Sequence, residues 1–238
     1  MRSLADLKIK IFADGANKAQ IFEAHANPLI RGFTTNPTLM RSAGITDYEV
    51  FAREVLERVK DCPISFEVFS DEFSEMERQA RKIASWADNV FVKIPVTNTR
   101  RESSMELAAT LSHSGVKVNV TAVLTLAQVQ SAAAALSGGA PSVISVFAGR
   151  IADTGRDPVP LMTTAAEVIG RYSNIELLWG SPRELLNIFQ ANDAGCDIIT
   201  VQDGILAKLL VIGKNLNDYS LETVVMFRDD ALKSGYSL

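Results

Sequence analysis

A lysine lies inside a stretch of sequence that otherwise has the composition of a buried strand. In "NVFVKIPVTN" (89–98), apolar residues stand on both sides of Lys93. An ammonium group buried without a partner is costly, so a lysine at this position needs a reason. Two reasons are open from the residues alone. Lys93 forms a structural ion pair with a carboxylate such as Glu67, or its amino group takes part in chemistry.

Polar residues recur near the ends of other apolar stretches. Because side chains alternate along a strand, Ser65 and Glu67 share one face of "SFEVFS", and Asn119 and Thr121 share one face of "VNVTAV". Further polar or aromatic candidates close or follow such stretches, and they are Asp14, Asn36, Ser145, Phe147, Arg150 and Arg183. If the strands form one parallel barrel, these side chains meet at its carboxyl end, where active sites form in that architecture.

Each of these residues also has a simpler structural interpretation. Asp14 and Gly15 form a dipeptide that is common in turns. Asn36 before Pro37 is a typical start of a helix, with Asn36 as its cap. Arg150 is interpreted in the same way as a surface residue paired with Asp153. The joint pattern favours function, because unrelated turns and ion pairs would not converge on one rim.

The order of elements predicts the fold class. Eight short apolar or β-branched stretches alternate with helical ones, and they are "LKIKIFAD", "LIRGFTTN", "PISFEVFS", "NVFVKIPV", "VKVNVTAV", "SVISVFAG", "NIELLWG" and "DIITVQ". Strand and helix in alternation predict a parallel sheet. Eight such units in 238 residues favour an α/β fold of the (β/α)8 TIM barrel type over an open, doubly wound sheet. We expect residues 1–238 to form a single domain, with a C-terminal helix and tail from about residue 219.

Composition excludes several classes of function. The net charge of −4 and the pI of about 5.3 argue against general nucleic-acid binding. No apolar run approaches the roughly 20 residues that span a bilayer, and the first residues lack the features of a signal peptide. Cys62 and Cys196 are far apart and unaccompanied, which favours free thiols in a cytoplasmic protein. With only two histidines, a multi-histidine metal site is not expected, and no metal or other cofactor is predicted.

Six motifs resemble, in order, those of the transaldolases. They are "FADGAN", "GFTTNPTL", "FVKIPVT", "VNVTAVLTLAQ", "SVFAGRIAD" and "WGSPREL". The resemblance as a whole spans the chain from about residue 8 to about residue 205. The closest likeness is to the short, single-domain group that includes fructose-6-phosphate aldolase. The resemblance implies a (β/α)8 barrel and class I aldol chemistry on sugar phosphates. One departure is Gly15, where members of the "DTAN" type carry threonine.

The resemblance also implies a role for each candidate residue. Lys93 would form the Schiff base, and burial among Val92, Ile94 and Val96 is expected to favour its reactive, uncharged amine. Asp14 would move a proton at the C4 hydroxyl, and Glu67 and Thr121 would hold a water. The dihydroxyacetone unit would be bound by Asn36, Asn119 and Ser145, with Phe147 packed in the pocket. The phosphate would be held by Arg150, Arg183 and Ser181.

Two activities occur in the family that the sequence resembles. Transaldolases transfer the dihydroxyacetone unit to an aldose phosphate, whereas fructose-6-phosphate aldolases release it. The resemblance gives the transferases a glutamate on the third strand, which here is Glu67, and the aldolases a glutamine there. It gives the aldolases a tyrosine after the fifth-strand threonine, where this chain has Leu124. Both positions favour a transaldolase.

Other functions stay open at this point. The chain could act on an unusual sugar phosphate, which would depend on pocket shape around Leu124, Phe147 and Trp179. It could also be a barrel that binds or senses sugar phosphates without catalysis. Small members of the family often form rings through the C-terminal helix, so a homo-oligomer is expected. The apolar residues of "ETVVMF" (222–227) would pack on a neighbour or on the chain's own barrel.

Overall fold

Eight parallel strands close into a barrel in the computed structural model, which describes residues 4–236. Each strand pairs with its sequence neighbours, and β1 pairs with β8. The strands are β1 (Lys10–Asp14), β2 (Ile30–Thr34), β3 (Ile64–Glu67), β4 (Val90–Pro95), β5 (Val118–Val123), β6 (Ser142–Val146), β7 (Ile175–Trp179) and β8 (Ile198–Val201). The predicted (β/α)8 barrel is confirmed, and the open sheet is wrong.

Helices connect the strands and cover the barrel. They are α1 (Lys18–His25), α2 (Pro37–Ser42), α3 (Tyr48–Arg58), α4 (Phe73–Ala84), α5 (Met105–His113), α6 (Leu126–Leu136), α7 (Ala148–Ala152), α8 (Val159–Ile169), α9 (Leu186–Asp193), α10 (Asp203–Leu206) and α11 (Leu216–Ser234). Short 3₁₀ turns lie at Leu4–Asp6 and Ala207–Val211. The final helix therefore begins slightly before the predicted residue 219.

Local sequence explains where several helices begin. The Asp47 side chain accepts a hydrogen bond from the Val50 amide and caps α3. Thr125 and Gln128 form a reciprocal capping box at the start of α6. These caps fix the points at which the chain leaves the barrel rim and turns back along its outside.

Two apolar clusters fill the protein, one inside the barrel and one around it. The inner cluster consists of Phe12, Val143, Leu178 and Ile198, with Phe91 packed against it. The larger cluster lies between the outward faces of the strands and the helices. Because the inner cluster fills the barrel below the strand ends, inward side chains closer to the carboxyl ends line an open mouth.

A glycine on β2 makes room for the inner cluster. A Cβ atom at Gly32 would lie 2.5 Å from the ring of Phe12, a distance that carbon atoms do not tolerate. The ring of Phe12 therefore occupies the place of a β2 side chain. This packing explains why an apolar strand carries glycine at an inward position.

The described helices include none that is both long enough and apolar enough to cross a membrane.

Candidate functional site

A cavity of about 430 Å³ opens at the carboxyl ends of the strands. Ten of the eleven predicted site residues line it: Asp14, Asn36, Glu67, Lys93, Thr121, Ser145, Phe147, Arg150, Ser181 and Arg183. The eleventh, Asn119, lies just beneath the cavity surface. The structure therefore brings together residues from five strands, from the segments that follow β2 and β7, and from the start of α7, while their individual roles stay predictions.

Lys93 lies at the bottom of this cavity and is 5% exposed. Its Nζ atom is 3.0 Å from Oε2 of Glu67 and donates a 2.9 Å hydrogen bond to the backbone carbonyl of Thr35. Val92 and Ile94 point to the opposite face and pack under the helices. The amino group thus contacts a carboxylate and a carbonyl. The apolar neighbours of Lys93 in sequence lie on the other face of the strand and do not surround the amino group.

Strand register aligns the glutamate with the lysine. Glu67 on β3 is the Cα partner of Lys93 on β4, and Lys93 in turn is the partner of Asn119 on β5. Neighbouring residues on parallel strands that face the same side lie within contact distance. The ion pair foreseen as a structural alternative does form, and it lines the cavity.

Asp14 ends β1 on the same rim. The hydroxyl of Thr34 donates to Oδ1 of Asp14 at 2.7 Å, and it also contacts the hydroxyl of Thr200 at 2.5 Å. Burial raises the pKa of the Asp14 carboxyl above its ordinary value, opposed by the Thr34 hydrogen bond, the charge of Lys93 and the Gln202 side chain. A carboxylate with a raised pKa next to a cavity is suited to exchanging protons with a bound molecule.

The alternative of a turn at Asp14 and Gly15 is wrong. The amide of Gly15 donates to the carbonyl of Thr34 and so continues the pairing of β1 with β2. The φ angle of Gly15 is also not positive, so its backbone lies outside the left-handed region. Gly15 thus continues the hydrogen bonding between β1 and β2 past Asp14, and the chain does not turn there.

Thr121 offers a hydroxyl that no protein group satisfies. Its Oγ1 is buried and has no hydrogen-bond partner, although the residue lines the cavity. The next residue, Ala122, has a φ of 60°, and the β5–β6 register shifts between Val120 and Val123. A bulge of this kind re-aims side chains at the rim of a barrel. The unpartnered hydroxyl is a ready donor or acceptor for a water or a ligand.

Asn36 combines a structural and a site position. Its Oδ1 accepts from the amide of Leu39 and caps α2, as in the structural interpretation. The cap uses only the oxygen, so the NH₂ group remains for a molecule in the cavity. The two interpretations of Asn36 are therefore compatible.

Asn119 and Ser145 form a hydrogen-bonded pair on the neighbouring strands β5 and β6. Ser145 donates to Oδ1 of Asn119 at 2.7 Å, while Nδ2 of Asn119 donates to the hydroxyl of Ser65 at 3.1 Å. Asn119 is fully buried, whereas Ser145 reaches the cavity. Asn119 therefore holds Ser145 in place and does not itself form cavity surface.

Two arginines border the outer part of the cavity. Arg183 donates from Nε to Asp153 at 2.9 Å and also pairs with it through Nη2. Arg150, on α7, lies 5.7 Å from the ring centroid of Phe147. Asp153 forms its ion pair with Arg183, and the charge of Arg150 acts on it only from a greater distance, so the alternative of an Arg150–Asp153 ion pair is wrong. Both guanidinium groups are exposed and could bind an anion at this rim.

The loop that carries Ser181 packs against the start of α7. A Cβ at Gly149 would lie 1.5 Å from the carbonyl oxygen of Ser181, so only glycine fits there. Ser181 itself has a φ of 56°. This close contact joins the chain segments of Arg150 and Arg183 and so sets the spacing between the two arginines.

Two expectations about the pocket wall do not hold. Leu124 packs on the core and lies outside the cavity lining, so the comparison of that position with a tyrosine carries no weight. Trp179 is fully buried and likewise does not line the cavity. The aromatic residue that lines the cavity is Phe147, whose ring carries no hydroxyl.

Several residues of the site were missed at the level of sequence. Thr34, Thr200 and Gln202 line the cavity around Asp14. The alternation that selected Glu67 also places Thr200 and Gln202 on one face of "DIITVQ", so strand parity could have found them. Tyr48 contacts the backbone of Glu67 from α3, and no strand pattern indicates it.

One cluster of possible metal ligands occurs among residues 4–236, far from this cavity. His25, Asp61 and Cys62 bring one ligand atom each within 4.8 Å of one another, and His25 is hydrogen-bonded to Asp61. Burial raises the pKa of the Cys62 thiol to about 11, helped by the charge of Asp61. A metal binds the thiolate, so binding at this cluster would require the Cys62 thiol to lose its proton.

Comparison with known proteins agrees with the resemblance seen in the motifs. A family model described as Transaldolase/Fructose-6-phosphate aldolase matches residues 11–234. A probable transaldolase of Methanococcus maripaludis strain C5 is 37% identical over 202 residues, covering 84% of this chain and 89% of that protein. A probable transaldolase of Dehalococcoides mccartyi strain 195 is 33% identical, with coverages of 85% and 90%.

Solved structures support the fold. A mandelate oxidase variant superposes with a TM-score of 0.57 at 14% identity, covering 92% of this chain and 80% of that chain. A 2,3-dimethylmalate lyase gives 0.54 at 10% identity, with coverages of 98% and 86%. At such low identity, these similarities concern the barrel alone.

Proposed function

The chain belongs to the transaldolase/fructose-6-phosphate aldolase family, and we propose that it is a transaldolase with Lys93 as its Schiff-base lysine. In this proposal it transfers a dihydroxyacetone unit from a ketose phosphate to an aldose phosphate. The observation that carries the proposal is the Lys93–Glu67 pair, 3.0 Å apart at the bottom of a cavity that two arginines border. A protein that only bound sugar phosphates would not need a buried amine opposite a carboxylate.

The first half of the reaction forms the Schiff base. The uncharged amine of Lys93 adds to the ketose C2 carbonyl and gives a carbinolamine. Loss of water from the carbinolamine then leaves an iminium ion and requires a proton on the departing hydroxyl. Glu67 and the free hydroxyl of Thr121 are suited to hold the water that carries this proton, since both face the cavity and Thr121 has no protein partner.

The second half breaks and remakes a carbon–carbon bond. Asp14 accepts the proton of the C4 hydroxyl, the C3–C4 electron pair moves toward the iminium, and the aldose phosphate departs. The dihydroxyacetone unit remains on Lys93 as an enamine. When an acceptor aldehyde binds, C3 attacks it, Asp14 returns the proton to the new hydroxyl, and hydrolysis of the iminium frees the product.

Binding groups occupy the rest of the cavity. The NH₂ group of Asn36 and the hydroxyl of Ser145 are suited to the hydroxyls of the dihydroxyacetone unit, with Asn119 supporting Ser145. Arg150 and Arg183 are suited to the phosphate, and Ser181 adds a polar group beside them. Permanently charged, planar guanidinium groups match phosphate oxygens well.

Transfer of the dihydroxyacetone unit to an acceptor is favoured over its release as free dihydroxyacetone. The third-strand residue is Glu67, as expected for the transferases, and the cavity aromatic is Phe147, which cannot hold a water through a hydroxyl. We propose fructose 6-phosphate or sedoheptulose 7-phosphate as donor, with erythrose 4-phosphate or glyceraldehyde 3-phosphate as acceptor. Product analysis with and without acceptor tests this: we expect acceptor-dependent transfer, and rapid release of free dihydroxyacetone without acceptor would show a lyase.

The Schiff base itself is tested by borohydride trapping. The protein is incubated with fructose 6-phosphate, reduced, digested and analysed by mass spectrometry. A dihydroxyacetone-derived mass on the peptide that contains Lys93 supports the proposal. If several ketose phosphates leave Lys93 unmodified, the proposed chemistry is wrong.

We also propose that the protein is a homo-oligomer that uses α11. None of the residues of this helix is buried, although it carries exposed apolar side chains, namely Leu216, Tyr219, Leu221, Val224, Val225, Met226, Phe227 and Leu232. A helix that packed on its own barrel would bury one face. Light scattering of the full chain and of a chain ending at residue 214 tests this, with a smaller assembly expected for the shorter chain.

A cytoplasmic location is part of the same proposal. Both cysteines are free thiols, which a reducing compartment preserves. Fractionation of the host cells checks the location directly.

A further inference from the structure

The hydroxyl of Tyr48 makes two hydrogen bonds to the backbone of the glutamate that pairs with Lys93. It accepts from the amide of Glu67 at 2.8 Å and donates to the carbonyl of Glu67 at 2.9 Å. A single side-chain group thus satisfies both backbone polar groups of this residue. Tyr48 is the first residue of α3, so its direction is set by the Asp47 cap immediately before it.

These two bonds replace a missing part of the sheet between β2 and β3. The pairing of these strands is short, and its last bond runs from the amide of Thr35 to the carbonyl of Ser65 at 3.1 Å. In a regular parallel ladder, the amide of Glu67 would next donate to the carbonyl of Thr35. Here that carbonyl accepts from Nζ of Lys93 instead.

Tyr48 therefore supports both polar contacts of the lysine. By accepting from the Glu67 amide, it leaves the Thr35 carbonyl available to Lys93. By holding the Glu67 backbone, it fixes the strand end from which the carboxylate reaches the same amino group. Without the hydroxyl, the Glu67 amide would compete for the Thr35 carbonyl or lack a partner.

Aromatic packing holds the ring of Tyr48 rigidly, so its hydroxyl stays against the Glu67 backbone. The ring packs edge-on against Phe66 and Phe69, with centroid distances of 6.2 and 5.5 Å, and lies 5.9 Å from Trp86. Burial raises the pKa of the Tyr48 hydroxyl, so it stays protonated and able to donate. Its position depends on packing between α3, β3 and the segments that follow β3 and α4, outside the cavity.

We infer that Tyr48 is a positioning residue for the Lys93–Glu67 pair and sets the rate of Schiff-base formation through the Glu67 backbone. This inference rests on the proposed function. Tyr48 does not line the cavity, so it acts without touching substrate. Displacements of about 1 Å at reacting groups can cost up to a hundredfold in rate.

The first test compares Tyr48→Phe with wild type. The variant keeps the ring and removes only the hydroxyl. We expect kcat to fall about tenfold and KM for the donor to stay within about twofold, since the substrate-binding groups are unchanged. Tyr172→Phe is the matched control. Tyr172 is a partly buried tyrosine that packs on the core before β7, and removal of its hydroxyl should leave kcat unchanged.

A double-mutant cycle separates positioning from general destabilisation. The rate of borohydride-trappable adduct on Lys93 is measured for wild type, Tyr48→Phe, Glu67→Gln and the double variant, at a temperature where circular dichroism shows all four folded. If Tyr48 acts by positioning the Glu67 carboxylate, the Tyr48→Phe loss should shrink from about tenfold to less than threefold in the Glu67→Gln background.

The outcomes distinguish the two proposals. If wild type forms no adduct, the proposed function fails, and the inference falls with it. If wild type forms the adduct and Tyr48→Phe forms it equally fast, the inference alone is wrong. Equal losses in both backgrounds would also overturn it, because they would show that the hydroxyl does not act by positioning the Glu67 carboxylate.

Discussion

Glu67 and Lys93 are cross-strand partners whose side chains meet within the barrel, with 3.0 Å between the carboxylate oxygen and Nζ. The carboxylate offsets the charge of a lysine that is 5% exposed. In the proposed reaction, it also lies where a proton must be taken up or returned. One pair of residues thus satisfies both the stability of the barrel and the proposed chemistry.

Replacing the lysine should abolish activity while keeping the fold. We expect Lys93→Met to form no trappable adduct and to show no turnover, because no other amine faces the cavity among its lining residues. The Glu67 carboxylate would lose its partner, so the free energy of unfolding should fall by about 3 kcal/mol. Urea unfolding measures this, and Lys93→Met combined with Glu67→Gln should regain part of the loss. Substantial activity in Lys93→Met would disprove the mechanism.

Asp14 should make kcat fall at acidic pH. Its carboxylate must be ionised to accept the C4 proton, and burial raises its pKa above 3.8. We therefore expect kcat for cleavage to decline at a higher pH than an ordinary carboxyl would cause. Asp14→Asn should lose at least a hundredfold in kcat, in line with general acid–base catalysis. A pH–rate profile from pH 4 to 9 checks both statements, and an unchanged kcat in Asp14→Asn would contradict the role.

The same group should cost stability at neutral pH. Since the folded-state pKa of Asp14 lies above its unfolded value of 3.8, its ionised form is disfavoured by folding. The cost is absent below pH 3.8, grows as the pH rises toward the folded-state pKa, and is complete above it. Asp14→Asn should therefore be more stable than wild type at pH 8, with the difference shrinking toward pH 4. Urea unfolding at several pH values would refute this if the difference were independent of pH.

Thr121 should matter for rate and not for stability. Its hydroxyl has no partner in the folded protein, so Thr121→Val removes no hydrogen bond and should leave the melting temperature unchanged or slightly raised. Loss of the water contact should lower kcat by tenfold or more. Ser104→Ala is the matched control, because Ser104 also has a buried, unpartnered hydroxyl but lies outside the cavity lining. Equal kinetics for the two variants would count against the role of Thr121.

Arg183 should act on the phosphate. Arg183→Ala should raise KM for phosphorylated donors by about tenfold or more, the value of a lost charge-assisted hydrogen bond, and leave non-phosphorylated ketoses unaffected. Arg171→Ala, an exposed arginine that precedes β7 at the opposite end of the barrel, should change neither. An equal loss with both classes of substrate would contradict the phosphate role.

Gly149 should affect the same substrates without touching them. A methyl group at this position would collide with the Ser181 carbonyl and push the Arg183 loop away from α7. Gly149→Ala should raise KM for phosphorylated donors and lower the free energy of unfolding by about 1–3 kcal/mol. Gly204→Ala is a suitable control, because a Cβ there meets nothing within 4 Å. Wild-type kinetics in Gly149→Ala would show that the loop position does not matter.

The sequence by itself determined the barrel and most of its cavity. The eight strands follow from short apolar stretches that alternate with helices, and strand parity places Glu67, Lys93, Thr121 and Ser145 inward. These features are local, since alternation along a strand depends only on the backbone. The closed barrel then brings every inward side chain near a strand end to one rim, whatever the details of packing.

Only the tertiary structure decided how those residues contact one another. The sequence neighbours of Lys93 are apolar, but its amino group faces Glu67 and the Thr35 carbonyl, because those contacts come from other strands. Asp153 pairs with Arg183 across two loops, and Tyr48 reaches Glu67 from a helix. Such contacts depend on register and on loop packing, which join residues far apart in the chain. No local pattern of residue types encodes them.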